Sequence, residues 1–279
     1  MNNTISKSIA AAVVVGGMVL SSNAAEAKLT LDGSTTVGPI AKAFAEYLMR
    51  QDNTANITVS ESGSGNGAKA LLNGTCDIAN LSRALKSSEK EAMAAKGVKP
   101  VAHVVAYDAL PVIVHPSNKV GTLTIEQIKD IYTGKITNWK DVGGFDKSIV
   151  VISRDTNSGT YETFAELVVG KEAKVVQSAE YTGSNGAVRQ RVQKTEGAIG
   201  YIGLGFIDDT VKVLAVNTIT PSVETVLDKT YPICRELFMF TNGEPAAGSL
   251  SARFLGLAST KEGAEMVEEI GFVPVPVKK

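Results

Sequence analysis

Arg154-Asp155-Thr156-Asn157-Ser158-Gly159-Thr160 follows an apolar run at 149–153 and leads into Tyr161-Glu162-Thr163-Phe164. A strand therefore ends in small polar residues where a helix begins. The first turn of a helix leaves backbone N–H groups unpaired and carries the positive end of the helix dipole, so it attracts anions. Glycine lets the backbone approach such a ligand, and serine and threonine hydroxyls add donors. The same design occurs at Leu31-Asp32-Gly33-Ser34-Thr35-Thr36-Val37 and at Glu61-Ser62-Gly63-Ser64-Gly65-Asn66-Gly67. Any one of the three, taken alone, reads more readily as an ordinary N-cap. Three in one chain, one led by Arg154, point to an anion held by neutral donors and a guanidinium. Arg154 pairing with Asp155 on the turn is the competing local reading. Ser82-Arg83 ends another strand and offers a further donor set, with Arg83 as readily a structural or rim charge as a ligand.

Around these turns, short apolar strands are expected at 29–31, 57–59, 78–81, 101–105, 110–115, 149–153, 198–202, 211–216 and 233–240. Helical periodicity lies between them, as in Val37, Ile40, Phe44, Leu48 and in Ile125, Ile128, Ile131. The alternation predicts an α/β fold with largely parallel sheets, in which such turns sit at the carboxyl ends of strands, where ligands bind. No linker or repeat divides the chain, so a second lobe must be joined by strands that cross between lobes. The stretches 101–115 and 229–240 fit that role. Each is interrupted by a proline, Pro111 or Pro232, which predicts irregular or edge strands.

The glycines at 63–67 lack the G-x-G-x-x-G interval and no P-loop ending is present, which argues against nucleotide binding. Ser158 does not sit in G-x-S-x-G, and His103 and His115 lie on apolar stretches rather than in polar turns that would present a base. With two histidines and with Cys76 and Cys234 far apart, no metal-ligand spacing occurs and no cofactor is expected. A balance of 28 basic against 29 acidic residues gives no field for nucleic acid or a membrane surface. Lys7, the uncharged apolar run at 9–20 and Ala25-Glu26-Ala27 read as a cleaved export signal, with the mature chain starting near Lys28. The run is shorter than the roughly 20 residues that span a bilayer. Export to an oxidising compartment would let Cys76 and Cys234 pair, although two separate buried thiols fit almost as well.

Gly33-Ser34-Thr35-Thr36, Ser62-Gly63-Ser64-Gly65-Asn66-Gly67, the span from Leu123-Thr124 to Gly134-Lys135-Ile136-Thr137-Asn138-Trp139, Arg154 with Ser158-Gly159-Thr160, and Gly197-Ala198-Ile199-Gly200-Tyr201 occur in that order. Together they resemble the PstS-type phosphate-binding proteins of phosphate ABC transporters over nearly the whole mature chain. The resemblance implies a type II periplasmic binding fold of two α/β lobes, with residues 28–105 and 233–279 forming lobe one and 106–232 lobe two. It implies a periplasmic, monomeric, non-enzymatic receptor that closes on inorganic phosphate and docks on a membrane permease. The ligand set carried over is Ser34, Thr35 through its hydroxyl, Thr36 through its backbone N–H, Ser64, Ser82, Arg154, Ser158, Gly159 and Thr160. The segments at 124–139 and 197–201 would be architectural. Many relatives place an aspartate where this chain has Ser82, and that carboxylate accepts a proton from phosphate. The acceptor expected instead is Glu162, with Asp155 and Asp32 behind it. With both cysteines in lobe one, the division leaves open a disulfide between them. The rivals are an exported phosphatase or esterase using Ser158 or Thr35, and a receptor for another tetrahedral oxyanion such as sulfate.

Overall fold

A computed structural model describes residues 27–277 apart from residue 171, so the expected export signal lies outside the described residues except for Ala27. The first stretch comprises β1 (Ala27–Gly33), α1 (Gly38–Gln51), β2 (Ala55–Val59), α2 (Ser64–Asn73), β3 (Ile78–Leu81), α3 (Ser87–Ala95) and β4 (Pro100–Ala109). The middle comprises β5 (Val112–Val114), β6 (Thr122–Leu123), α4 (Ile125–Tyr132), β7 (Val150–Arg154), α5 (Gly159–Phe164), β8 (Glu180–Thr182), α6 (Asn185–Gln193), β9 (Ala198–Tyr201), β10 (Lys212–Val216) and α7 (Val223–Leu227). The chain then returns through β11 (Cys234–Asn242), α8 (Leu250–Gly256), α9 (Lys261–Glu269) and β12 (Val273–Pro274). Two six-stranded sheets result, ordered β12-β4-β11-β3-β1-β2 and β6-β10-β5-β9-β7-β8. Among the described residues no helix is long and apolar enough to cross a membrane.

Each sheet carries its own core. In the first, Leu29 and Leu31 alternate inward with the period of a strand and meet Ile40, Phe44 and Leu48 from one face of α1. In the second, Tyr132, Trp139, Phe164 and Tyr201 are fully buried, each contributing about 1.5–3 kcal/mol of burial. Thr124 caps α4 in a reciprocal box with Gln127, and Trp139 Nε1 donates to the Gly197 carbonyl at 2.8 Å. The two segments expected to be architectural are thus tied to each other.

The strands expected from apolar patterning are present, but the sheets are mixed rather than largely parallel. β1, β2 and β3 run parallel, while β11 is antiparallel to β3 and to β4, and β5 is antiparallel to β9 and to β10. Strands that carry the chain across must run back against those that built the lobe. β4 stays in the first sheet through Ala109, past the lobe boundary expected at 105. It pairs along its length with β11, and Leu110 N donates to Ile233 O at 2.8 Å, so the two crossings run side by side. β11 is central, not an edge strand: Pro232 stands just before it and Pro111 lies between β4 and β5, so neither proline removes a ladder donor.

The disulfide does not form; both cysteines are free. Cys76 precedes β3, whose Ile78 pairs with Thr241 near the far end of β11, whereas Cys234 opens β11. Seven residues of strand at about 3.3 Å each separate them, well beyond the reach of a disulfide.

Candidate functional site

β1, β3 and β7 deliver their ends to one place between the sheets. β1 ends at Gly33, whose φ of +133° and whose 2.2 Å clearance from an added Cβ to the Asn80 carbonyl exclude any side chain. Ser34 N then donates to Asn80 O at 2.7 Å. The Ser34 hydroxyl accepts from the Thr36 and Val37 amides at 3.1 and 3.3 Å, so Ser34 shapes the turn as a cap. The Thr36 N–H, expected on the ligand, is engaged within this turn. Its hydroxyl instead meets Thr160 Oγ1 at 3.0 Å. α2 starts at Ser64, whose hydroxyl accepts from Ser82 N at 3.1 Å and lies 3.2 Å from Ser82 Oγ. Ser158 caps α5 by accepting from Tyr161 N at 3.3 Å. That uses an oxygen lone pair and leaves the O–H proton to donate. Cap and ligand roles are compatible in one serine.

The third turn closes against the other two. A Cβ on Gly159 would lie 2.5 Å from Ser64 Oγ and 2.7 Å from Ser82 Oγ. Gly65 N donates to Asn157 O at 3.0 Å and Thr163 Oγ1 to Ser82 O at 3.4 Å, both from one sheet to the other. Ser34, Thr36, Ser64, Ser82, Ser158 and Thr160 are all buried, and burial of so many hydroxyls is tolerable only when each is hydrogen-bonded.

Arg154 ends β7 at 1% exposure. Its Nε donates to Thr182 O at 3.3 Å, and one terminal nitrogen donates to Gly183 O at 2.9 Å and to Thr35 Oγ1 at 3.2 Å. The other, Nη1, is buried without a hydrogen-bond partner. Burial pushes the guanidinium down to about 10, with Arg235 adding to the effect against Asp155 and Tyr201, so it stays charged at neutral pH. Asp155 acts on Arg154 through its charge rather than through a hydrogen bond, its Oδ1 accepting from Asn157 N at 2.9 Å within the turn.

The carboxylates expected as proton acceptors are engaged elsewhere. Asp32 Oδ1 accepts from Ser62 Oγ at 2.8 Å. Glu162 pairs with Arg83 Nε at 2.6 Å and Lys86 Nζ at 3.0 Å, both from the other sheet, which corrects its expected role. Glu162 stands two residues beyond Thr160, on the far side of α5, where Arg83 also holds Glu89 at 2.7 Å. Against the burial that would lower it, Glu89 and Glu162 raise the Arg83 pKa. Arg83 is therefore the rim charge of the two readings. Glu162 is a latch across the cleft, and Glu162→Gln should weaken ligand affinity several-fold, about 1 kcal/mol for a partly exposed pair. Phosphate-to-sulfate selectivity should stay unchanged. Competition calorimetry with both anions checks this, and a shift in selectivity would return Glu162 to the ligand.

Sequence reasoning missed Asp108 and Arg235. Asp108 is fully buried and accepts from Arg235 Nε at 2.9 Å and Nη2 at 2.7 Å through one oxygen, while the other accepts from Leu204 N at 2.8 Å. Burial pushes the Asp108 carboxyl up and the Arg235 guanidinium down, each opposed by its partner. Arg235 also donates to Ser82 O at 3.2 Å and Thr160 Oγ1 at 3.0 Å. The available signal was a charge inside each apolar crossing, Asp108 in one and Arg235 beside Glu236 in the other, but only the strand register makes residues 108 and 235 partners.

Residues 20–255 match the PBP superfamily domain. The phosphate-binding protein PstS of Borreliella burgdorferi is 34% identical over 88% of this chain and 90% of its own. This chain belongs to the PstS family. The protein SphX of Synechococcus elongatus is 35% identical over 92% of this chain and 80% of its own. A substrate-binding protein of Clostridium perfringens, solved with bound phosphate, is 36% identical and superposes with a TM-score of 0.81 over 89% of this chain and 99% of that one. The fold is that of the periplasmic binding proteins, and the ends of β1, β3 and β7 face one another between its two lobes.

Proposed function

We propose that this chain is an exported, monomeric receptor that captures inorganic phosphate by closing its lobes and delivers it to the membrane permease of an ABC transporter. The observation that carries the reading is Arg154: a buried guanidinium with one unpartnered nitrogen, at the meeting point of hydroxyls from both sheets. An anion there restores the charge stabilisation that burial removed. Ser64, Ser82 and Thr35 act from lobe one, and Arg154, Ser158, Gly159 and Thr160 from lobe two. Neither half satisfies the ligand alone, so binding favours the closed form. One chain supplies both walls, and no second copy is needed to complete them.

An exported phosphatase is the weaker reading. Neither histidine serves Ser158: His103 bonds Thr241 at 2.9 Å and His115 bonds Ser117 at 2.8 Å. Turnover of a phosphate ester that disappears in Ser158→Ala would establish it instead.

With Asp32, Asp155 and Glu162 engaged, Ser82 is the acceptor left for a phosphate proton, through an oxygen lone pair. Ser82→Asp should raise phosphate-over-sulfate discrimination by about tenfold or more, since a carboxylate repels an anion that brings no proton. Calorimetry with phosphate and sulfate on parent and variant tests both statements. A parent that binds no phosphate would overturn the receptor reading.

A further inference from the structure

Thr36 and Thr160 face each other at 3.0 Å between their hydroxyl oxygens, one from each lobe, and both are essentially fully buried. Two hydroxyls hold two protons and four lone pairs. Asn185 Nδ2 donates to Thr36 Oγ1 at 2.9 Å, and Arg235 Nη1 donates to Thr160 Oγ1 at 3.0 Å. Arg235 Nη2 reaches Thr36 Oγ1 at 3.5 Å, the weakest of the set. These three donors occupy three lone pairs, and the hydrogen bond between the threonines uses the fourth lone pair and one proton. One O–H proton remains, and the pair keeps no accepting lone pair. Arginine cannot act as an acceptor, so the polarity cannot reverse at that end. Asn185 is fixed the same way, because its Oδ1 already accepts from Gly203 N at 3.2 Å.

We infer that Arg235, clamped by Asp108 on the hinge strands, and Asn185 are positioning residues that make the Thr36–Thr160 pair a donor-only corner of the cleft, one that admits only an unprotonated ligand oxygen. This rests on the phosphate reading and deepens it. Ser82 differs from this corner: its hydroxyl meets only Ser64 Oγ at 3.2 Å and keeps a lone pair for a ligand proton. A ligand with one acceptor and several donors around it is best matched by the phosphate dianion, which carries a single proton. The inference also ties ligand state to closure, because Arg235, in the same lobe as Thr36 and Ser82, reaches Thr160 only when the lobes meet.

The charged and titratable groups that face Arg235 are Asp108 on β4, Arg154 on β7 and Tyr201 on β9. Tyr201 is pushed up to about 12 by burial, against its bonds to Ser153 and Arg154. It stays neutral where phosphate exchanges its second proton.

The test compares the parent with Asp108→Asn/Arg235→Gln, in which no lone charge is left buried, and with Asn185→Ala, which frees a lone pair on Thr36 without touching a charge. Inorganic phosphate affinity is measured by calorimetry on the acid and alkaline sides of neutrality, with thermal unfolding as the check on folding. The parent should bind more tightly on the alkaline side. In the variants that preference should shrink by about tenfold, because the corner can then accept a proton from the monoanion. Asn185→Ala carries the same expectation and decides the matter should the double variant not fold. Equal losses on both sides of neutrality, or parental profiles, would overturn the inference. A parent that binds no phosphate at either pH would instead overturn the reading beneath it.

Discussion

Arg154→Ala should lower phosphate affinity about a hundredfold or more while leaving the unliganded fold close to parental stability. Removing one partner of a buried charge pair costs roughly 3–5 kcal/mol, and about 1.4 kcal/mol corresponds to each tenfold in affinity. The folded protein without ligand has less to lose. The guanidinium is buried at 1% exposure with no carboxylate bonded to it, its Nη1 has no partner, and burial holds its pKa down to about 10. What the variant loses before ligand arrives is three hydrogen bonds, to Thr182 O, Gly183 O and Thr35 Oγ1, offset by release from the cost of burying a charge. Thermal unfolding with and without phosphate separates the two effects. The unliganded midpoint should move little, and the upward shift that phosphate produces in the parent should vanish. Undiminished affinity in Arg154→Ala would remove this residue from the site.

Gly159→Ala should abolish tight binding by a different route, obstruction of closure. An added Cβ would stand 2.5 Å from Ser64 Oγ and 2.7 Å from Ser82 Oγ, distances real Cβ atoms do not adopt. Both oxygens belong to the opposite lobe: Ser64 Oγ accepts from the Ser82 N–H at 3.1 Å and lies 3.2 Å from Ser82 Oγ. The variant's easiest response is to stay open. The second lobe itself should tolerate the change, because alanine is favoured over glycine by about 1 kcal/mol in a helix, and Gly159 begins α5. Affinity should therefore fall about a hundredfold with unfolding unaffected. Small-angle scattering should show that the compaction phosphate induces in the parent is missing. Full compaction of Gly159→Ala on phosphate addition would show that the lobes do not close against this position.

Both residues stand in a pattern that the sequence alone displays, because that pattern is local. A serine or threonine at a helix start, a glycine beside it and an arginine at the preceding strand end are consecutive in the chain. Backbone geometry alone then decides that N–H groups and hydroxyls point the same way. The same locality made the apolar strands legible, and it made Ser34 and Ser158 legible as capping serines.

Reading failed where the partner of a side chain was distant in sequence. Glu162 looked like a first-turn carboxylate near the ligand, but Arg83 and Lys86 reach it across the cleft. Cys76 and Cys234 fall in one lobe yet at opposite ends of β11. Arg235 and Asp108 become a pair only through the antiparallel register of β11 on β4. The sequence by itself determined the α/β class and the places of three polar helix-start turns with an arginine at one of them, because each is a property of neighbouring residues. Only the tertiary structure decided which carboxylates are free, which hydroxyls donate and what the hinge strands hold, because hydrogen-bond capacity is assigned by whichever groups folding brings within about 3 Å.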